Sequence, residues 1–169
     1  MNHKSSRPGA GVPRAGGAGT AGPRHSIPLH RAEALRLLGS VSLGRIVFTQ
    51  DALPAIRPVN HLLDRGEIVI RTQEGAAIAT VTRQADLAGV VVAYEADTID
   101  PVTHIGWSVV VTGYCRPVTD PRDLAYYREL LHPWTEGQRE HALRIRPDLV
   151  TGLRLTAALP APATGACPG

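Results

Sequence analysis

Short apolar runs, rich in β-branched residues and separated by turn residues, dominate the middle of the chain. Residues 44–49 and 55–60 form two such runs around a turn at Asp51-Ala52, and residues 67–72 follow a turn at 64–66. This pattern predicts three strands joined by tight turns and therefore paired antiparallel. Pro58 cannot donate a ladder hydrogen bond, so the second strand needs an edge or a bulge at that position.

Longer apolar runs predict three further strands, at 87–94, at 103–117 and, after a turn at Pro147, at 149–155. The run 87–94 is apolar at almost every position, which is typical of a strand buried on both faces. Residues 106–113 read Gly-Trp-Ser-Val-Val-Val-Thr-Gly. A Trp at the start of such a strand either fills the core or forms one wall of a site for a planar ligand.

Helix periodicity is confined to three short segments. Residues 29–38 place Leu29, Ala32, Leu35 and Leu38 on one face, residues 75–82 are apolar, and Asp120-Pro121 supplies an N-cap and a first helical residue for a helix to about 131. Six strands with few helices favour a small closed or nearly closed antiparallel β-barrel, because closure removes exposed strand edges.

The two ends of the chain differ from the middle in composition. Residues 1–25 contain six Gly, three Pro and four Lys or Arg with no acid, and residues 156–169 are rich in Ala, Pro and Gly. Such segments bury too little apolar surface to offset chain entropy, so we expect disordered tails at 1–25 and 156–169 around one domain at 26–155.

Charge and cysteine content restrict the classes of partner. The net charge is +3, and removing the four cations of the N-terminal tail leaves −1 for the remainder. A nearly neutral domain gives no electrostatic reason to expect specific nucleic-acid binding. The two Cys, Cys115 and Cys167, form no disulfide framework, and no apolar run has membrane-spanning length. We therefore expect a cytoplasmic protein without a membrane partner.

Common catalytic and metal-binding motifs are absent from the sequence. No Gly-x-Ser-x-Gly, P-loop or Gly-x-Gly-x-x-Gly motif is present. His61 is more typical of a strand-end residue than of a base. Glu95, Asp97 and Asp100 are more typical of a solvated loop than of a cation site. We predict no catalytic side chain and no metal.

The groups that remain suit a planar cofactor that carries a phosphate. Arg57 and Arg71 lie on neighbouring predicted strands, and guanidinium groups bind phosphate well. Thr72 and the helix start at Ala76 and Ala77 add a hydroxyl and backbone N–H groups. Pro58, Val59 and Asn60 offer an apolar edge with one amide, and Trp107 offers an aromatic face beside the hydroxyl of Ser108. Each arginine alone is equally compatible with an ordinary surface side chain.

In its order of motifs the chain resembles the pyridoxamine 5′-phosphate oxidase-like, FMN-binding split-barrel family, in its compact actinobacterial-type branch. The resemblance covers about residues 30–155 and rests on segments 44–49, 56–61, 70–75, 92–97, 106–113, 145–147 and 150–152. It implies a mainly β fold, a six-stranded antiparallel split β-barrel with a few short helices.

The resemblance also implies a homodimer that binds FMN, or a deazaflavin coenzyme, in clefts between the subunits. Arg57, Pro58, Val59 and Asn60 match the segment that follows the flavin ring and phosphate, and Arg71 and Thr72 match the end of the next strand. Trp107 and Ser108 match the strand start that reaches the flavin of the partner subunit. At the helix start the family often has a basic residue that binds the phosphate, where this chain has Ala77.

Three functions follow from these observations. The first is a small flavin- or deazaflavin-dependent oxidoreductase acting on a small-molecule redox substrate. The second is a non-catalytic module that binds or stores a flavin or haem, and the third is a scaffold that has lost cofactor binding, as Ala77 suggests. The long C-terminal extension that recognises pyridoxal in true oxidases is missing, so we do not expect vitamin B6 oxidation.

Overall fold

A ring of six antiparallel strands forms the body of the molecule. The computed structural model describes residues 24–72, 76–85, 88–131 and 141–157. The strand order is β1-β7-β4-β3-β2-β5-β6, and β6 also pairs with β7, so that strands β2 to β7 close on themselves. The mainly β, split-barrel prediction is confirmed.

The helices and strands lie close to the positions that the sequence pattern predicts. The strands are β1 (Arg24–Pro28), β2 (Leu43–Gln50), β3 (Leu53–Asp64), β4 (Glu67–Thr72), β5 (Val90–Asp97), β6 (Gly106–Pro117) and β7 (His141–Ala157). The helices are α1 (Arg31–Leu38), α2 (Ala77–Gln84) and α3 (Pro121–Leu130). As predicted, Asp120 caps α3, accepting a hydrogen bond from the Arg122 backbone N–H at 2.8 Å.

β1 is an element that the sequence pattern did not predict. It pairs with the end of β7, from Arg24 opposite Ala157 to Pro28 opposite Leu153. Arg24 and His25, which we assigned to the N-terminal tail, therefore belong to the sheet, as do Thr156 and Ala157, which we assigned to the C-terminal tail. The rest of the expected tails, residues 1–23 and 158–169, lies outside the described residues.

The predicted turn at Pro147 is wrong, because Pro147 lies inside the long strand β7. The β6–β7 register shifts at this point, since Thr112 pairs with Leu149 and Gly113 with Pro147, which leaves Asp148 unpaired. This β-bulge accommodates a proline that cannot donate to the ladder. Position 113 must be glycine, because a β-carbon there would overlap the Arg146 carbonyl oxygen.

The main core fills the ring and is covered at one end by α1. It includes Leu38, Ile46, Ile70, Tyr94 and Val111, all of which are completely buried. Two arginines tie α1 to β7. Arg31 donates to the Pro147 carbonyl at 2.6 Å, and Arg154 donates to Glu33 at 2.7 Å.

A second, smaller core lies outside the ring, where α3 packs on β4 and β7. It consists of Val69, Tyr127, Leu131 and Ala142. Tyr127 donates a hydrogen bond to Asp64 at 2.7 Å and accepts one from Arg144 at 2.9 Å. No helix within the described ranges is long and apolar enough to cross a bilayer.

Candidate functional site

The strand registers divide the sheet into an inner and an outer face. Residues directly opposite each other in an antiparallel pair share a face. One row runs Arg57–Ile46–Tyr94–Val111–Val150 across β3, β2, β5, β6 and β7, and its members other than Arg57 belong to or pack against the main core. The neighbouring rows, Ile56–Val47–Ala93–Thr112–Leu149 and Pro58–Arg45–Glu95–Val110–Thr151, lie on the outer face.

Arg57 stands on the inner face of β3 but is exposed to solvent. Its guanidinium donates to the carbonyl oxygen of Ile56 at 2.7 Å. No carboxylate among the described residues forms an ion pair with it. A cation in this position retains donors that can bind an anion.

Arg71 has a different role from Arg57, although both were predicted to lie together. The β3–β4 register puts Arg71 on the face of Leu62 and Val69, which is opposite to that of Arg57. Its guanidinium donates to the carbonyl oxygens of Leu131 at 3.0 Å and Arg128 at 3.4 Å. Arg71 thus satisfies carbonyl groups at the C-terminal end of α3.

Pro58, Val59 and Asn60 alternate between the two faces of β3, as residues of a strand must. Val59 lies inward opposite Gly44, whereas Pro58 lies outward opposite Arg45, and Asn60 pairs with Leu43. Pro58 pairs only with Arg45 of β2, because the β3–β4 ladder begins at His61, so the proline lies at a strand edge, one of the two predicted alternatives.

Thr72, Ala76 and Ala77 lie where β4 gives way to α2. Thr72 is buried and, by register, shares the inner face with Val59 and Arg57. Ala76 is the N-cap of α2 and offers no side-chain hydrogen bond to the first turn. The backbone N–H groups at this end of α2 consequently lack a side-chain cap, which favours an anion there.

Trp107 and Ser108 point to opposite faces of β6. Trp107 is 6% exposed and packs in the main core. Ser108 is half-buried on the outer face, between Asp97 of β5 and Leu153 of β7. In the single chain, core packing therefore accounts for Trp107, and Ser108 is the member of this pair that faces outward.

A charged cluster on the outer face connects Pro58 with Ser108. Arg45 pairs with Glu95 at 3.1 Å and with Asp97 at 3.3 Å. Burial, and then a hydrogen bond with Asp97, raise the pKa of the Glu95 carboxyl above its usual range. The third acid that the sequence singled out, Asp100, instead accepts hydrogen bonds from the backbone N–H groups of Val102 and Thr103.

Metal and nucleophile chemistry find no support in the described part of the chain. No group of three or more His, Cys, Asp or Glu side chains there is placed to hold a metal ion. Cys115 is buried in the main core, and burial raises the pKa of its thiol to about 12. A thiol with such a pKa is unreactive at neutral pH.

His61 is a buried hydrogen-bonding residue rather than a base open to substrate. Its Nε2 lies 2.9 Å from the Leu38 carbonyl, which can only accept, so Nε2 donates and Nδ1 accepts from the Tyr94 hydroxyl at 2.8 Å. Burial lowers the pKa of His61. Gly44 makes room for the Tyr94 hydroxyl, since a β-carbon there would lie 2.5 Å from it.

Sequence reasoning missed the apolar outer face of the ring. Leu149 is 59% exposed and Val91 is 55% exposed, and the same face carries Ile56, Val110 and Leu153. Single exposed apolar residues are ordinary, but a group shared by four strands of one face is typical of an interaction surface. Each position fits a strand pattern locally, so only the register reveals that they are neighbours.

Comparisons with known proteins agree with this architecture. Residues 30–154 match the family model described as pyridoxamine 5′-phosphate oxidase. The uncharacterized protein Rv0080 of Mycobacterium tuberculosis is 51% identical over 134 residues, which is 79% of this chain and 88% of that protein.

Two solved structures are also similar. A Corynebacterium glutamicum protein named for pyridoxamine 5′-phosphate oxidase is 33% identical with a TM-score of 0.64, covering 79% of this chain and 96% of that one. An FAD-binding protein from Mycobacterium smegmatis is 34% identical with a TM-score of 0.61, covering 76% and 98%. The chain therefore belongs to the pyridoxamine 5′-phosphate oxidase family that its sequence motifs indicated.

Proposed function

We propose that this protein is a flavin-binding split barrel that holds FMN and acts as a small oxidoreductase. The observation that carries the proposal is Arg57, an exposed guanidinium with no carboxylate paired to it in the described residues, on the face shared with Thr72. Together with the uncapped start of α2 it provides donors suited to a phosphate. The FAD-binding protein of M. smegmatis is a relative that binds a flavin.

The phosphate contacts in this proposal differ from those expected from sequence. Arg71 is engaged with the end of α3, so Arg57 provides the cation, and the first-turn N–H groups of α2 and the Thr72 hydroxyl provide neutral donors. Ala77 adds no charge. One guanidinium instead of two cations predicts moderate affinity for the phosphate, with a marked dependence on salt concentration.

The isoalloxazine ring in this proposal lies along Pro58, Val59 and Asn60. When bound, the flavin supplies hydride or electron transfer, and the protein orients the ring and excludes water. Arg45 lies opposite Pro58 on β2 and sets the polarity beside it, and its partners Glu95 and Asp97 lie on β5, the next strand. No side chain is assigned as an acid or a base. A deazaflavin coenzyme would use the same edge of β3.

A second copy of this chain is the partner that we propose for the outer face. The exposed apolar residues of this face, among them Val110 and Leu149, would be removed from water if two such faces paired. Ser108 lies beside Leu153 on this face, so the partner subunit's flavin would meet Ser108, while Trp107 supports that strand from inside.

The absorbance spectrum of the purified protein, followed by titration with FMN, tests cofactor binding. We expect saturable quenching of flavin fluorescence on titration. A colourless protein that quenches neither FMN nor deazaflavin fluorescence would show that the scaffold has lost its cofactor. Reduction of the bound flavin by a nicotinamide nucleotide, with reoxidation by an added acceptor, would distinguish an oxidoreductase from a storage module.

Arg57→Ala tests the phosphate contact. We expect FMN binding to weaken by about 1–3 kcal/mol, the loss of a charge-assisted hydrogen bond. Arg65→Ala is the matched control, because Arg65 is an exposed arginine on the β3–β4 turn away from the site. Equal affinity of the two variants would remove Arg57 from the phosphate site.

A further inference from the structure

A cavity of about 790 Å³ opens at the C-terminal end of α2, and none of the ten residues predicted for the flavin site lines it. Its floor is formed by small apolar side chains, among them Ala79, Ala142 and Leu143. This volume is within the range of small-molecule sites, which are mostly apolar with a few polar groups. Its described polar or charged lining residues are Thr82, Arg83, Arg116, Thr119 and His141.

His141 lines this cavity and carries an unpaired polar atom. Its Nε2 is buried and has no hydrogen-bond partner. Buried polar atoms of folded proteins are nearly always paired, because leaving one unpaired is destabilising. His141 is the first residue of β7 and pairs with Thr72 of β4, so the sheet holds its backbone beside the cavity. An unpaired nitrogen beside a cavity is a candidate donor to a bound ligand.

The charges around the cavity favour an anion. Arg83 and Arg116 are exposed at its rim, and no Asp or Glu is among its described lining residues. Arg116 donates through its Nε to the Ala88 carbonyl at 2.9 Å, so the N–H groups of its two terminal nitrogens can still bind an anion. The C-terminal end of α2 contributes a partial negative charge of about half an electron, which two guanidinium groups outweigh.

We propose that this cavity binds a small organic anion with an apolar body, namely a carboxylate. The apolar part lies on the side of Ala79 and Leu143, the carboxylate faces Arg83 and Arg116, and a ligand oxygen accepts from His141 Nε2. The proposed flavin phosphate lies at the opposite end of α2, about 12 Å away along an eight-residue helix. The arginine end of the cavity is thus apart from the phosphate, whereas His141 lies opposite Thr72, so the two proposed sites adjoin there. This proposal does not rest on the flavin proposal.

The experiment uses 2-naphthoate as the probe and its neutral analogue 2-naphthalenemethanol as the comparison, titrated calorimetrically into the purified full-length chain. From the size of the probe we expect saturable binding with a Kd near or below about 1 mM. The neutral analogue should bind at least about tenfold more weakly, because it lacks the charge that the arginines recognise. Equal binding of the two, or no binding of the acid, overturns the proposal.

Two substitutions locate the binding. His141→Phe keeps a ring but removes the nitrogen, and should weaken 2-naphthoate by about tenfold. Arg83→Gln should weaken it by about fivefold, whereas Arg36→Gln, at the equivalent last-turn position of α1, should not. If Arg83→Gln and Arg36→Gln behave alike, the anion binds elsewhere, for instance on the outer face.

The flavin titration gives an independent readout for Arg83→Gln. This variant should bind FMN like the wild type, because Arg83 lies in the last turn of α2, away from the proposed phosphate. His141→Phe does not test this separation, because His141 lies opposite Thr72. Loss of 2-naphthoate with unchanged FMN binding in Arg83→Gln supports the second site. Parallel loss of both ligands in Arg83→Gln assigns the cavity to the flavin site and overturns the proposal. Chemical shifts of the His141 ring, identified by their absence in His141→Phe, should move during the 2-naphthoate titration of the wild type.

Discussion

The inner and outer faces of the ring carry similar apolar residues, which are buried on the inner face and exposed on the outer face. On the inner face, Ile46, Tyr94 and Val111 are completely buried by the chain itself. On the outer face of the same strands, Val91, Val110 and Leu149 remain exposed. One strand thus contributes alternately to the core and to an exposed apolar surface. Local hydrophobicity cannot distinguish the two roles, which depend on what covers each face.

The largest effect is expected from truncating the inner face. Ile70→Ala should lower the free energy of unfolding by about 2–5 kcal/mol, because Ile70 is fully buried in the main core and the ring cannot collapse around the cavity. Urea denaturation followed by circular dichroism measures this. A loss below about 1 kcal/mol would mean that the inner face is less closely packed than its burial indicates.

Charges placed on the outer face should act on assembly rather than on folding. We expect the double substitution Val110→Arg and Leu149→Arg to weaken the dimer at least about a hundredfold, because two pairs of like charges would meet across the interface. Light scattering should then report a monomer. Leu130→Arg, an exposed leucine on α3, is the control. A wild-type chain that is monomeric at micromolar concentration would contradict the proposed partner.

Arg57 on the inner face and Arg71 on the outer face allow the two faces to be compared at single residues. Arg71→Ala should lower stability by about 1–2 kcal/mol, because carbonyl groups at the end of α3 lose a charged donor, and should leave FMN affinity unchanged. Arg57→Ala should weaken FMN binding and leave stability unchanged. Denaturation and FMN titration of both variants give a two-by-two test, and an affinity loss in Arg71→Ala would return that residue to the phosphate site.

The smallest effect is expected from the pH dependence of the inner face. Burial holds the pKa of His61 below its value in the unfolded chain, so the unfolded state binds more protons once the pH falls below about 6.5. The stabilising contribution of neutral His61 is present above that pH and is lost as the pH falls toward its folded pKa. The slope should not exceed about 1.4 kcal/mol per pH unit.

His61→Gln should remove this part of the pH dependence, and His104→Gln, an exposed control, should keep it. The raised pKa of Glu95 acts in the opposite direction at pH values just above its unfolded pKa, so the difference between wild type and His61→Gln is the relevant quantity. If the difference in free energy of unfolding between wild type and His61→Gln stays constant across pH 5–7, burial does not shift the pKa of His61.

The fold could be predicted from the sequence because its strands carry local signals. Alternating and β-branched runs identified six of the seven strands, and Asp120-Pro121 identified the start of α3. β1 escaped detection because its pairing with β7, rather than its own composition, makes it a strand. Pro147 was assigned to a turn because the sequence cannot show that a bulge with Gly113 accommodates it.

The candidate site could be predicted only in part, for a geometric reason. Residue types and order pointed to Arg57 and Thr72, which do share a face. The sequence could not show that Arg71 points to the other face, because the β3–β4 register decides this. It also could not show that Arg45 joins Glu95 and Asp97, because the strands that carry them are distant in the chain.

The bulge at Gly113 and Pro147 has a consequence for how the chain finds its native pairing. β6 and β7 are separated by α3 and by residues 132–140, so many alignments of the two strands are open to the folding chain. A slip of a single residue would turn Trp107 out to solvent and bring Ser108 into the barrel. Only glycine fits opposite the bulge. A misaligned pairing would place a residue with a β-carbon there, so the bulge favours the native register of β6 and β7.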